Sequence, residues 1–285
     1  MPIRPADESD LPALAGIAVA GMTFLIERYE PGRAETLPLD PDDRLPLLRH
    51  VLATGTMFVA DEGEPVGFSG AVVRDDVWHL AQLWVFPENH GRGIGGALID
   101  AALEWGAGAR AFTVVSSPHP AAETLYLRRS MFPVWTQLDV RGPPSEEPPM
   151  PDGVSELSEE DQIWVDRLDR DARGVARPED HALFRTHGKG LALRRDGEPV
   201  GYVYVWPDGR VGPSVAADAA DVPALVRAGC HLGGRRAWCL VPSTNWAALK
   251  ELASLGFRAV GSSLFMASRP WPDGSRYLSS GGALG

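Results

Sequence analysis

Residues 83–98 constrain the fold of this chain more than any other segment, because a strand pattern passes through a glycine-rich turn into a helical pattern. Residues 77–86 are rich in β-formers, and residues 97–105 repeat apolar side chains at helical spacing. A helix that starts directly after such a turn presents free backbone N–H groups and the positive end of its dipole at one point. The segment therefore predicts a binding site for an anion.

The turn carries the side chains that such a site needs. Gly91, Gly93 and Gly95 let the backbone approach a ligand closely, and Arg92 adds positive charge at the rim. The spacing from Gly91 to Gly96 also matches the dinucleotide fingerprint, but Pro87-Glu88-Asn89 intervenes after the strand and no acidic residue ends the next strand. A Walker A loop is excluded because the chain has no Gly-Lys-Ser/Thr triplet.

The elements before and after the turn predict a mixed sheet. In the first half, two helical stretches precede three β-rich runs, and a helix, a strand, a second helix and a strand follow. Sequential hairpins make the start of the sheet antiparallel, and helices cover its faces. The fold class is therefore α/β, with a twisted mixed sheet flanked by helices.

A proline-rich segment divides the chain. Residues 142–153 contain five prolines and no apolar period, which is typical of a linker. We predict one domain over residues 1–141 and a second over residues 154–285, in which the order of elements repeats in shortened form. Internal repetition over so long a period indicates duplicated domains.

The glycine turn and its strand resemble motif A of the GCN5-related N-acetyltransferase (GNAT) superfamily. The match reads Leu83-x-Val85-x-Pro87 and then His90-x-x-Gly93-x-Gly95, with Ile94 inside the turn and His90 in the place of the family's Gln or Arg. The resemblance implies that these residues hold the pyrophosphate and pantetheine of acetyl-coenzyme A (acetyl-CoA), which is the co-substrate. It also implies that backbone N–H groups at the splayed end of the strand polarise the thioester.

A second match lies downstream. The pattern His119-x-x-Ala122-x-x-x-Tyr126 resembles motif B of the same superfamily, with His119 for the family's Asn and Ser130-Met131 for its Gly-Phe. The resemblance implies that His119 contributes to cofactor binding and that Tyr126 protonates the departing thiolate. A phenol is suited to this role because the leaving sulfur develops negative charge.

The general base and the acceptor wall are less clearly marked. Many relatives place a glutamate on the motif A strand, whereas this strand offers His79, so His79 is the candidate base. A carboxylate from residues 27–30 or water is the alternative. The same loop, through Glu27, Tyr29 and Glu30, is predicted to bind an organic cation.

The second half keeps the motif B frame but loses its chemistry. Asn245 and Gly256-Phe257 are present, yet Leu252 occupies the tyrosine position. Asp218 and Asp221 stand where a glycine turn is expected, and such carboxylates cap a helix and repel a pyrophosphate. We therefore predict a degenerate second copy that does not bind coenzyme A in the usual way.

Composition limits the partners. The formal net charge of -11 disfavours nucleic acid, and no segment is expected to span a membrane. Cys230 and Cys239 are too few for a disulfide framework and lack metal-ligand spacing with the histidines, so no metal is expected. A cytoplasmic protein fits these features. A homodimer stays open, because tandem copies can satisfy each other or pair across a two-fold axis.

Together these features predict an enzyme that transfers acetyl from acetyl-CoA to a primary amine of a small molecule or peptide, by direct attack. The alternative is a non-catalytic protein that binds coenzyme A or regulates through it on the same scaffold.

Overall fold

A computed structural model describes residues 2–36 and 39–284 of the chain. The chain divides into two compact units. The first comprises the residues up to Phe132 together with Met266–Arg269, and the second comprises Pro133–Phe265 together with the residues from Pro270 onward. Each unit is a mixed sheet flanked by helices, so the predicted fold class is confirmed.

The first unit has four helices and a sheet in the order β1-β2-β3-β4-β5 among its described residues. Neighbouring strands are antiparallel except β4 and β5, which are parallel because a helix connects them. The strands are β1 Ile3–Pro5, β2 Gly55–Asp61, β3 Pro65–Arg74, β4 Val77–Val85 and β5 Ala111–Ser116. The helices are α1 Leu11–Tyr29, α2 Leu45–Thr54, α3 Ile94–Trp105 and α4 Pro120–Leu127.

Helix α1 begins at Leu11, and the side chain of Asp10, which precedes it, does not cap it. Instead Asp10 accepts hydrogen bonds from Arg4 and from the backbone of Asp7. The helix also runs as far as Tyr29, so residues 27–29, which the sequence placed in a loop, form its last turn.

The segment that contains α1 corrects the expectation that no segment is long and apolar enough to span a membrane. The stretch Glu8–Tyr29 is long and apolar enough to cross a membrane, and 44% of its most apolar window is buried inside the protein. Leu14 and Ile17 are fully buried, and Gly21 packs against the ring of Trp84 on β4. Core helices of globular proteins meet the same criteria of length and apolarity.

The second unit repeats the architecture. Strands β6 to β11 lie in the order β6-β11-β10-β9-β8-β7, with β10 and β11 parallel and the other pairs antiparallel. The strands are β6 Phe132–Arg141, β7 Val154–Glu156, β8 Lys189–Arg195, β9 Glu198–Val205, β10 Arg210–Ala216, β11 Trp238–Pro242, β12 Arg258–Ala267 and β13 Tyr277–Leu278. The helices are α5 Gln162–Arg173, α6 Pro178–His187, α7 Val222–Gly233 and α8 Trp246–Ser254.

Helix α6 was not predicted, and its presence makes the repeat complete where a shortened one was expected. Its signals are local: Pro178 opens it, Glu179 and Asp180 lie in its first turn, and Gly188 follows its end. The apolar period is weak because two of the buried positions of this helix are taken by Asp180 and His181.

The compact units differ from the predicted domains in the placement of one strand. Strand β6 precedes the proline-rich segment, yet it pairs with β11 from Arg141↔Trp238 to Gln137↔Pro242 and belongs to the second unit. Met266–Arg269 belongs to the first unit, where Ser268 hydrogen-bonds the backbone of Phe112 on β5. The alternation of apolar side chains makes a segment a strand but does not choose its neighbour.

Candidate active site

Strands β4 and β5 separate at their carboxyl ends. Their parallel pairing stops at Leu80↔Val114, although β4 continues to Val85 and β5 to Ser116. Against β3 the register of β4 shifts at the same place, since Gly70 pairs with Gln82 and Ala71 with Leu80. This bulge turns β4 away from β5. We call the gap between residues 81–85 and 115–116 the first wedge; it frees backbone N–H groups of β4 for a ligand.

The glycine turn lies directly after the first wedge. Gly91 has φ +79° and Gly93 has φ +80°, the left-handed region that glycine adopts without strain. Gly93 is the N-cap of α3, which has no side-chain cap and no acidic residue in its first turn. The first N–H groups of this 12-residue helix therefore create an uncompensated positive potential at its start. Gly95 lies within the helix and needs no such conformation.

The apolar residues of the turn act through their backbones. Ile94 is buried with Leu98 and Ala60, and Leu83 and Val85 pack against the same cluster. The side chains of these three predicted cofactor residues thus anchor the strand and the helix in the core. Arg92 is exposed and paired with Glu62 of the β2–β3 turn at 2.6 Å, so its charge at the rim is partly neutralised.

Tyr126 lies on the inner face of α4 and is 5% exposed. Its helix packs on the start of α3, where a Cβ placed at Gly95 would lie 3.9 Å from Leu125, and Arg129 donates to the carbonyl of Gly96 at 3.1 Å. Burial raises the pKa of the Tyr126 phenol, and nearby Arg129 offsets only part of this rise. No hydrogen bond within the described residues reaches its hydroxyl group. Tyr126 is therefore a protonated phenol held next to the glycine turn.

His79 is buried rather than solvent-facing. Its Nδ1 lies 3.0 Å from Thr113 Oγ1 on β5, and that hydroxyl donates to the carbonyl of Trp78, so the imidazole Nδ1–H donates to Thr113. On the backbone, His79 pairs with Thr113, one residue before the last pair of β4 and β5. Gln82, the other polar side chain of this strand, accepts a hydrogen bond from Trp84 Nε1 at 2.6 Å.

Two histidines and two α1 residues form a cluster of rings that the sequence did not predict. The ring centroids of His90 and His119 lie 5.7 Å apart, and Phe24 lies 5.4 Å from His90 and 6.3 Å from His119. Tyr29 completes the set at 5.6 Å from His119. We call Phe24, Tyr29, His90 and His119 the four-ring cluster. It brings together His90 and His119, two of the motif positions where this chain departs from the family pattern.

The histidines of the cluster differ in environment. His90 is exposed, and its Nε2–H donates to the carbonyl of Val85 at the end of the wedge. His119 is half-buried at the N-cap of α4, the helix that carries Tyr126. Burial lowers the pKa of His119, and the neighbouring His90 lowers it further. His119 is thus neutral at physiological pH.

Of the predicted wall residues, Tyr29 lies in the cluster and the two glutamates lie outside it. Glu27 is exposed on the last turn of α1, whereas Glu30 is buried and paired with Arg33 at 2.5 Å. A cationic ligand would therefore meet the free carboxylate of Glu27 more readily than that of Glu30. Among the described residues no group of three His, Cys, Asp or Glu side chains could hold a metal ion.

Comparison with protein families agrees with this geometry. Residues 22–131 match the model of the acetyltransferase (GNAT) family, and they include the first wedge, the glycine turn, Tyr126 and the last two turns of α1. Over these residues the chain is similar to GNAT acetyltransferases. The matched residues lie within the first compact unit.

Known relatives extend the likeness. The mycothiol acetyltransferase of Segniliparus rotundus is 35% identical over 119 residues, which is 38% of this chain and 44% of that protein, so less than half of the relative is matched. A candidate acetyltransferase from Pyrococcus horikoshii has the same fold with a TM-score of 0.82 and 20% identity, over 100% of this chain and 95% of that one. A tandem GNAT protein from the clavulanic acid biosynthesis pathway aligns with a TM-score of 0.55 and 18% identity, over 94% of this chain and 99% of that one.

Proposed function

We propose that this protein transfers the acetyl group of acetyl-CoA to a primary amine of a small molecule or peptide. One observation carries the proposal: the first wedge and the uncapped start of α3 lie side by side, with the protonated phenol of Tyr126 on the adjoining helix. The GNAT family match over the same residues supports acetyl transfer.

The glycine turn fits a diphosphate. Gly91 and Gly93 hold conformations that direct successive N–H groups outward, and a Cβ at either position would meet open space rather than a neighbouring group. No carboxylate lies in the first turn of α3 to compete for these donors. The diphosphate of coenzyme A would bind there through the backbone, with Arg92 at the rim.

The remaining residues would lie along the pantetheine arm and the thioester of the bound acetyl-CoA. Backbone N–H groups of β4 after the bulge pair with the pantetheine amides and polarise the thioester oxygen. Acetyl-CoA supplies the acetyl group as an activated thioester. Tyr126 donates its proton to the sulfur as the C–S bond breaks, and its raised pKa keeps that proton in place at neutral pH.

The acceptor side is formed by the end of α1. Tyr29 supplies an aromatic face and Glu27 an exposed carboxylate, a pairing that suits an organic cation. We also propose a cytoplasmic location. The buried side chains of Cys230 and Cys239 lie in contact and are both free thiols, as expected in a reducing compartment.

Calorimetry and rate measurements test the proposal. Coenzyme A should bind saturably to the parent chain and to Tyr126→Phe with equal affinity, whereas acetylation of an amine panel should slow by about 10²-fold in Tyr126→Phe. Absence of binding at millimolar coenzyme A would overturn the proposal. Binding with equal, negligible rates in both proteins would instead support a non-catalytic, coenzyme A-binding role.

A further inference from the structure

Strand β4 carries no carboxylate at the wedge, so the acceptor ammonium needs another group to take its proton. Gln82 is not a useful proton acceptor, and it already binds Trp84. His79 is buried, and it lies where β4 and β5 are still paired, before the wedge opens. Glu30 is paired with Arg33. The remaining candidates for the base lie on the elements around the mouth of the wedge.

We propose that His119 is the general base of the acetyl transfer, positioned by the four-ring cluster; this inference rests on the proposed function. His119 stands at the start of the helix that carries Tyr126, and it contacts Tyr29 of the predicted acceptor wall and His90 of the glycine turn. It is the one residue of the cluster that adjoins three parts of the site: helix α4, which carries Tyr126, the predicted acceptor wall and the glycine turn.

The backbone fixes the position of this imidazole. The N–H of His119 donates to the carbonyl of Ser117 at 2.7 Å, and its own carbonyl accepts from the N–H of Glu123 at 3.0 Å in the first turn of α4. No hydrogen bond within the described residues occupies its ring nitrogens. Phe24 and Tyr29 meet the ring at edge-on angles of 80° and 70°, which limits its rotation without using its nitrogens.

The surroundings keep the ring neutral. The groups that face it are Phe24 and Tyr29 from α1 and His90 from the glycine turn, and Glu123 is the acidic residue in the first turn of its own helix. A second imidazole beside it and partial burial both oppose protonation. A base that is neutral at pH 7 can accept a proton from an ammonium, and a positive imidazolium could not.

The proton balance closes with two residues. His119 takes one proton from the acceptor ammonium, and the free amine forms the C–N bond to the acetyl carbon. As the C–S bond breaks, its electron pair stays on sulfur, which takes the phenolic proton of Tyr126. The second proton of the nitrogen returns to Tyr126, and His119 releases its proton to solvent. The net result is one amide, one thiol and one proton.

The test compares His119→Asn with the parent, because asparagine is the residue of the family pattern and cannot take a proton. We expect coenzyme A affinity to change less than about threefold, which is under 1 kcal/mol. The rate of amine acetylation at pH 7 should fall by about 10² to 10⁴-fold, and added imidazole should restore part of it. The histidine on α6 serves as control, since His187→Asn lies in the second unit and should leave rate and affinity unchanged.

The pH profile gives a second readout. In the parent, kcat/KM should fall as pH drops through the pKa of His119, which lies below the usual value of 6.5, and this acidic limb should vanish in His119→Asn. NMR titration of the His119 ring, assigned by difference from His119→Asn, should give the same pKa without any turnover.

Three results would overturn the inference. One is an unchanged rate and profile in His119→Asn while Tyr126→Phe remains slow, which leaves the proposed function standing. Another is loss of the acidic limb in His79→Asn instead, and a third is an NMR pKa that does not match the limb. A parent chain that binds coenzyme A but acetylates no amine would overturn the proposed function and the inference together.

Discussion

Both units have a gap between two parallel strands of their sheets, but what lies in the gap differs. In the second unit, parallel pairing of β10 with β11 stops at Val211↔Cys239, and the register of β10 against β9 shifts just after Val211. This second wedge corresponds to the first one between β4 and β5. Whereas no strand of the described residues lies within the first wedge, a segment of the chain itself occupies the second.

The occupying segment uses the hydrogen bonds that a ligand would use. Strand β13 pairs with β10 through Ser214↔Leu278 and Val215↔Tyr277, and Ser279 donates from its backbone to Leu240 on β11 at 3.0 Å. Asn245, at the motif B position, caps α8 and also donates to the carbonyl of Tyr277 at 2.9 Å. The second wedge is thus satisfied from within the protein.

The helix starts beside the two wedges differ in the same sense. The α3 start has no side-chain cap, whereas α7 is preceded by a turn in which Asp218 accepts from the N–H of Ala220 at 2.8 Å and Asp221 pairs with Arg195. Carboxylates there supply the negative charge that a phosphate would bring. One backbone geometry thus leaves its donors available to a ligand only where no strand or carboxylate of the protein pairs with them.

The largest expected effect concerns Tyr277 of β13, whose ring packs against Arg173 and Arg177. Tyr277 is 4% exposed, so Tyr277→Ala should lower the free energy of unfolding by about 4 kcal/mol through lost burial and a cavity. Its hydroxyl has no hydrogen-bond partner among the described residues, so Tyr277→Phe should change stability by less than about 1 kcal/mol. Urea unfolding followed by tryptophan fluorescence measures both; equal effects would contradict a packing role.

Asp169 supports the same segment through a buried ion network. It accepts from Arg177, whose Nη1 donates to the carbonyl of Leu284, and it also bonds His181 and Tyr202. Asp169→Asn should destabilise the second unit by about 3 kcal/mol, because it leaves Arg177 buried without a counter-charge. Exposed Asp171, paired with Arg276, is the control, and Asp171→Asn should cost less than about 1 kcal/mol.

The network also predicts a pH dependence. Burial alone would raise the pKa of Asp169, but Arg177, His181 and Arg173 outweigh it and hold the pKa below its usual 3.8. The stabilisation is therefore complete above pH 3.8 and is lost as pH falls from there towards the lowered value. Acid unfolding should be steeper in the parent than in Asp169→Asn. Parallel acid profiles would show that this carboxylate does not titrate on unfolding.

A smaller effect is expected when a carboxylate, like those before α7 in the second unit, is placed at the start of α3 in the first. Gly95→Asp places a carboxylate in the first turn of α3, where the nearest heavy atom to a new Cβ lies 3.9 Å away, so the side chain fits. Repulsion of the diphosphate should weaken coenzyme A binding by at least about tenfold, or about 1.4 kcal/mol. Gly95→Asn, equal in size and uncharged, is the control. If calorimetry shows equal affinity for both variants, the diphosphate does not bind at this turn.

The smallest effect comes from the ends of the two motif B helices. Ser130 adopts φ +59° where the second half has Gly256 at φ +90°. Ser130→Gly should therefore stabilise the first unit by about 0.5–1 kcal/mol, since glycine enters this region without strain. The reverse change, Gly256→Ala, should destabilise, because its Cβ would lie 2.3 Å from Ser145 Oγ. Thermal unfolding of both variants tests the pair, and a loss of stability in Ser130→Gly would contradict it.

Local patterns were sufficient for the elements of the first unit and for much of its candidate site. The strand, glycine turn and helix over residues 83–98 all occur, and positive φ occurs at Gly91 and Gly93 as their roles require. Tyr126 was identified from motif spacing, and the structure places it on the helix that packs against the start of α3. Such features depend on neighbours within a few residues, so the order of residues determines them directly.

Long-range features depended on the folded chain. No spacing indicated that Phe24, Tyr29, His90 and His119 would meet, because they come from three separate segments. Strand periodicity likewise did not assign β6 to the second unit or Tyr277 to the second wedge. Which strand fills a gap, and which helix start stays uncapped, follows from competition among all the segments that can reach it, and only tertiary packing decides that competition.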